Sequence, residues 1–130
     1  MASYPNDIRY TKDHEWARRE GDLVRIGITT YAVEQLGDVT LVDLPAKGSE
    51  LKAHGRFGDI ESVKTVSELF APIGGEVVDV NADLANRPEL VNESPYEKGW
   101  MIVLRAANSA DLNELMDAAA YEKYLGTLDH

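Results

Sequence analysis

With 130 residues, 44% of them apolar and 28% charged, the chain suits one domain with one hydrophobic core and excludes wholesale disorder. Its formal charge of -10, from 23 acidic and 13 basic residues, argues against nucleic acid as a partner, because phosphate recognition needs clustered Lys and Arg. The absence of cysteine excludes disulfides, thiolate metal sites and cysteine nucleophiles, and no apolar run approaches membrane-spanning length.

Residues 1–9 read as a loose lead-in. β-type residues follow over 10–17. A turn at Glu20-Gly21-Asp22 leads into residues 23–28, where Val24, Ile26 and Ile28 alternate onto one face. Residues 29–37 predict a short helix: Thr29 can cap its start, Ala32, Glu34, Gln35 and Leu36 favour it, and Gly37 suits a left-handed stop. Strands resume over 38–44, 55–62, 67–71 and 76–81, punctuated by turns at Pro45-Ala46-Lys47-Gly48 and Pro72-Ile73-Gly74-Gly75. Residues 83–96, rich in Asn, Pro and Asp, predict a loop with one helical turn. Residues 100–104 are continuously apolar, the pattern of a strand buried on both faces. In the tail, Asn108 or Ser109 can cap a helix carrying Leu112, Leu115 and Met116 on one side, a stripe that reads as core packing. Tyr121, Tyr124 and Leu125 continue the same spacing. The expectation is a mainly β fold: one domain over 1–130, with a short internal helix and a C-terminal helical segment over 108–126.

Several features carry no chemistry of their own. His14, His54 and His130 are far apart and match no metal spacing, and His14 reads as a structural histidine beside Trp16. Gly74-Gly75 lacks the helix and Lys-Ser/Thr of a phosphate loop. Ser62 and Ser67 have no His/Asp constellation in view. Residues 1–7 have neither a basic n-region nor an apolar h-region, so the expected location is the cytoplasm, or the mitochondrial matrix for a chain stripped of its presequence.

The segment from Gly58 to Pro72 differs. It reads as strand, tight turn and strand, with Lys64 at the tip. Two turns of Pro-x-x-Gly pattern, at Pro45 and Pro72, flank it, and a pseudo-two-fold relating them would place Lys64 at a hairpin end. A solvent-exposed lysine is not a desolvated Schiff-base amine. On a rigid hairpin it is a good acceptor for an acyl group brought by another enzyme, because the strands present it in one geometry. For a lysine taken at random, an ordinary surface role is the stronger reading.

The surrounding strings reverse that balance. His14-Glu15-Trp16, Gly27-Ile28-Thr29, Leu36-Gly37-Asp38, Glu61-Ser62-Val63-Lys64, Ala71-Pro72-Ile73-Gly74-Gly75-Glu76-Val77, Pro88-Glu89-Leu90-Val91-Asn92, Ser94-Pro95-Tyr96 and Gly99-Trp100 occur in order. In these the chain resembles the H-protein family of the glycine cleavage system, nearly end to end. The resemblance implies a flattened β barrel, or barrel-sandwich hybrid of the lipoyl/biotinyl-domain type, with added helices. It implies lipoic acid in amide linkage to Lys64.

It further implies a non-catalytic carrier, expected as a monomer, that meets three enzymes. These are a pyridoxal-phosphate glycine decarboxylase (P protein), a folate-dependent aminomethyltransferase (T protein) and a dihydrolipoyl dehydrogenase (L protein). A lipoate ligase or octanoyltransferase would attach the arm. In the family the loaded arm folds into a surface cleft that protects its aminomethyl group. By position, Glu15 and Glu68 are the expected polar wall of that cleft, with Asp13 a weaker candidate. Gln35 stands where some members carry histidine; it can hydrogen-bond but does not titrate near neutrality. An H-like lipoate relay, donating its cofactor to other lipoyl domains, would use the same Lys64. A biotin carrier fits less well, because Lys64 lies between Val63 and Thr65 rather than between two methionines.

Overall fold

The computed structural model describes residues 4–128. Among them the chain forms two antiparallel sheets. The larger has the order β1 (Arg9–Tyr10), β2 (Glu15–Glu20), β3 (Leu23–Ile28), β9 (Ile102–Ala106), β8 (Gly75–Val80) and β5 (Glu50–Leu51). The smaller consists of β4 (Val39–Asp43), β6 (Arg56–Ser62) and β7 (Val66–Phe70), with β6 in the middle. The alternating face of β3 does what its pattern predicts. Val24, Ile26 and Ile28 are buried in one cluster with Ile102 and Leu104 of β9, Val77 of β8, and Phe57, Ile60 and Leu69 of the smaller sheet. Burial of that apolar surface is the main force holding the sheets together.

Glycine matters where chains approach closely. Trp16 pairs with Gly27 across β2 and β3, and a β-carbon at Gly27 would lie 2.7 Å from the Trp16 ring. The absent side chain lets the wholly buried indole lie on the neighbouring backbone, where its N–H donates to the Pro95 carbonyl at 3.0 Å.

The helix predicted over 29–37 is α1 (Thr30–Leu36). Thr29 Oγ1 accepts from Ala32 N–H at 3.3 Å as its N-cap, and Gly37 ends it at φ 78°. The two Pro-x-x-Gly segments meet as antiparallel neighbours: Glu50 pairs with Glu76 and Leu51 with Gly75.

Other expectations need correction. Residues 1–3 lie outside the described residues, but 4–9 are not loose: Ile8 is buried, Tyr4 packs edge-on against Tyr10 and Tyr121, and the Tyr10 hydroxyl donates to the Pro5 carbonyl at 2.7 Å. Residues 10–17 are not one strand. β1 stops at Tyr10, the chain turns through 11–14, and His14 adopts φ 69° before β2 begins. Residues 83–96 hold two short helices, α2 (Asp83–Asn86) and α3 (Leu90–Glu93), because Leu84, Leu90 and Val91 are needed in the core. The continuous apolar strand is displaced to Ile102–Ala106, with Ile102, Val103 and Leu104 all buried.

The tail is not one helix either. A 3-10 helix (Ser109–Glu114), capped by the Asn108 side chain, is separated from α4 (Ala118–Gly126), which Asp117 caps. Between them Met116 exchanges both backbone hydrogen bonds with Tyr10, at 2.8 and 3.0 Å, and that pairing requires extended backbone. Leu112 joins the main core, while Met116, Tyr121 and Leu125 pack with Ile8, Tyr10 and Trp16 in a second cluster.

Candidate functional site

β6 and β7 form the hairpin whose tip carries Lys64. Glu61 pairs with Val66 at the last rung, leaving Ser62 to Thr65 as the turn. Ser62 N–H donates to the Thr65 carbonyl at 2.9 Å. Ser62 Oγ accepts from the backbone N–H groups of Lys64 and Thr65, each at 3.2 Å. The serine thus satisfies donors that a bare tip would leave to water. Val63 N–H reaches the Asp38 carbonyl at 3.0 Å and ties the tip to the loop after α1. Lys64 is exposed, and the apolar side chains of Val63 and Val66 beside it are 67% and 63% exposed.

Beneath the tip, Asn92 holds the α1–β4 joint. Its Nδ2 donates to the Gly37 carbonyl at 2.8 Å, and its Oδ1 accepts from Val39 N–H at 2.9 Å. Neither contact could be read from the Pro88–Asn92 string, because the partners are more than fifty residues away in sequence.

A cleft of about 330 Å³ opens beside the hairpin and brings together Asp13, Glu15 and Glu68. Its floor is apolar, from Ile28, Leu36, Ile60 and Leu69. Tyr31, Ala32 and Gln35 of α1 form one wall, and Thr65 and Ser67 bring it to the edge of the tip. The three acids are not equivalent. Glu68 is exposed on β7, with Arg56 Nε 3.4 Å from its carboxylate. Asp13 is exposed on the 11–14 turn. Glu15 is only 2% exposed: its Oε1 accepts from the Thr11 hydroxyl at 2.9 Å and its Oε2 from Phe70 N–H at 3.2 Å. Burial pushes the Glu15 carboxyl up to about 8, against the opposing pull of those hydrogen bonds. Its burial was invisible in the sequence, which showed only a charged residue beside Trp16.

His14 also lines the cleft, and it packs on Tyr31 at a centroid distance of 4.5 Å, while Trp16 turns toward Tyr96 and Pro95. His130 lies outside the described residues. Among the described residues no group of three or more His, Asp or Glu side chains is placed to hold a metal ion.

An exposed lysine on a stiff tip, next to a cleft with an apolar floor and an acidic rim, suits a flexible aliphatic arm with a cationic end. Together with the two antiparallel sheets, this defines the class: a lipoyl/biotinyl-domain-like β fold with added helices. The comparisons give the family. The profile of the glycine cleavage H-protein matches residues 8–128. The glycine cleavage system H protein of Bacillus licheniformis is 56% identical over 92% of this chain and 94% of its own, and that of Bacillus subtilis is 54% identical over 93% and 95%. The crystal structure of the H protein from Mycobacterium marinum superposes with a TM-score of 0.87 at 39% identity, covering 95% of this chain and 99% of the other. The chain belongs to the glycine cleavage H-protein family.

Proposed function

We infer that this chain is the lipoyl-bearing carrier of the glycine cleavage system, with lipoic acid in amide linkage to Lys64 Nζ. The observation that carries the reading is the placement of exposed Lys64 beside an acid-rimmed, apolar-floored cleft in a member of this family. Lipoate held by Lys64 would supply a redox-active disulfide that opens to accept the aminomethyl remainder of glycine at the P protein, would give up the one-carbon unit to folate with release of ammonia at the T protein, and would be left as a dithiol for reoxidation by the L protein.

The residues of the chain present, orient and shield. The hydrogen-bonded turn of Ser62 and Thr65 holds the lysine in one geometry, and tethering raises the local concentration of the arm at each partner. Amide formation removes the lysine charge, so an aliphatic arm can lie on Leu36, Ile60 and Leu69 without burying a cation. Glu15, with Glu68 and Asp13, supplies negative charge for an ammonium. A cation entering the cleft draws Glu15 into its ionised form, because an opposite charge offsets the burial that holds it neutral. No nucleophile or acid–base pair is needed in this chain, which acts as a carrier subunit rather than an enzyme.

The exposed valines flanking Lys64 give a lipoate ligase or octanoyltransferase an apolar surface on either side of its target amine. The reading places a monomeric carrier in the cytoplasm, in keeping with its bacterial relatives.

The test is glycine–bicarbonate exchange with lipoylated chain and purified P protein. Exchange that saturates with carrier concentration supports the reading. Absence of exchange, with lipoate passed instead to other lipoyl domains, supports the relay.

A further inference from the structure

Tyr121 occupies a junction that arm attachment alone does not explain. It is wholly buried on α4 and stacks on Tyr10 at a centroid distance of 4.6 Å, the rings 4° from parallel. Its hydroxyl meets two groups from different parts of the chain: His14 Nδ1 at 2.9 Å and Thr29 Oγ1 at 2.8 Å.

Each contact anchors one wall of the cleft. His14 is left-handed, at φ 69°, which costs a residue with a β-carbon on the order of 1 kcal/mol and so needs outside support. In a regular strand, residue 14 would point away from 13 and 15. The left-handed turn instead lets Asp13, His14 and Glu15 all line the cleft. Thr29 is the N-cap of α1, which forms the facing wall.

Of the directions open to these hydrogen bonds, one gives every donor a partner. Ala32 N–H can only donate, so Thr29 Oγ1 accepts from it at 3.3 Å. Thr29 is wholly buried, and the Tyr121 oxygen is the acceptor within reach of its hydroxyl hydrogen. Tyr121 then donates to His14 Nδ1. This network assigns His14 as the neutral tautomer with its hydrogen on Nε2. Burial lowers the His14 pKa, which agrees with a neutral ring.

We propose that the Tyr121 hydroxyl is a positioning group for the arm cleft: from the C-terminal helix it ties the turn that bears Asp13 and leads into Glu15 to the capped start of α1. This rests on the reading of that cleft as the docking place of the arm, and assigns to α4 a part in setting its geometry. Tyr121 does not itself line the cleft.

Tyr121→Phe removes only the hydroxyl. In the unlipoylated chain, nitrogen NMR of the His14 ring is expected to show a single Nε2-protonated tautomer in wild type and a mixture in the variant. Amide exchange at Ala32 and Val33 should rise about tenfold, the loss of one buried hydrogen bond, while exchange in β8 and β9 stays unchanged. In the lipoylated chain, retention of the amine-bearing cargo should shorten about tenfold, while attachment of lipoate to Lys64 proceeds as before. His14→Asn, which tolerates the left-handed backbone and keeps an acceptor, should retain cargo better than His14→Ala.

An unchanged tautomer and unchanged exchange in α1 would overturn the proposal. So would loss of protection spread evenly over both sheets, which marks a merely structural role. Glu15→Ala separates the two readings. If it shortens retention and Tyr121→Phe does not, the positioning role fails alone; if neither does, the cleft reading fails with it.

Discussion

Lys64 lies across the end of α1, so close that a methyl group on Gly37 would come within 3.0 Å of Lys64 Cε. Gly37 is needed for its φ of 78°, and it also leaves space for the lysine stem. With φ 78° and ψ -153° the Gly37 backbone lies in a region essentially reserved for glycine, so Gly37→Ala is expected to lose about 1–3 kcal/mol of stability from the backbone alone. The lysine stem need give by only a few tenths of an ångström, which an exposed, flexible side chain does at little cost. Denaturant unfolding reads the first effect. The rate of lipoate attachment by a purified ligase reads the second, and it should fall no further than the folded fraction does.

Asn92 sits below that contact and bonds both Gly37 and Val39. Asn92→Ala leaves a backbone carbonyl and a backbone N–H without their partner, at a cost of about 1–3 kcal/mol. Asn92→Asp keeps the acceptor for Val39 N–H but loses the donor to Gly37, so its cost should be intermediate. Amide exchange at Val39 distinguishes them: it rises in the alanine variant and stays slow in the aspartate one.

Much of this arrangement is legible in the sequence. Val24, Ile26 and Ile28 announce a half-buried strand because strand side chains alternate. Thr29 and Gly37 announce both ends of α1 because capping is local. What stays hidden depends on distant partners. The turn at 11–14 sits among β-type residues, and nothing local shows that His14 will be held left-handed by Tyr121, 107 residues away. The break before α4 exists because Met116 pairs with Tyr10. Glu15 and Glu68 look alike as letters; the fold buries the first against Phe70 N–H and leaves the second beside Arg56 in solvent.

The burial of Glu15 has a measurable pH signature. Its carboxyl rises from 4.5 to about 8 on folding, so the folded state binds a proton that the unfolded state releases between those values. The stability this group contributes is fully present below about 4.5 and is lost as pH rises through about 8. Glu15→Gln keeps an acceptor for Phe70 N–H and does not titrate. Thermal unfolding from pH 5 to 9 should therefore show wild type losing on the order of 1–3 kcal/mol relative to the variant. Parallel curves would place Glu15 in a wetter setting than its hydrogen bonds indicate.

Glu68 should behave differently. Its ion pair with Arg56 is exposed, so Glu68→Gln is expected to change stability by less than about 1 kcal/mol at any pH. Its effect belongs to the cleft: retention of a cationic cargo should shorten in Glu68→Gln, and less than in Glu15→Ala. Equal thermal midpoints with a shorter cargo lifetime are the expected result.

The most direct test of the carrier assignment is the intact mass of the full chain after incubation with lipoate, ATP and a purified lipoate ligase, followed by peptide mapping. One lipoyl increment is expected, carried by the peptide containing Lys64 and absent from Lys64→Ala. A wild-type chain left unmodified while a known lipoyl domain in the same mixture is modified, or a Lys64→Ala chain that still gains the increment, would contradict the account.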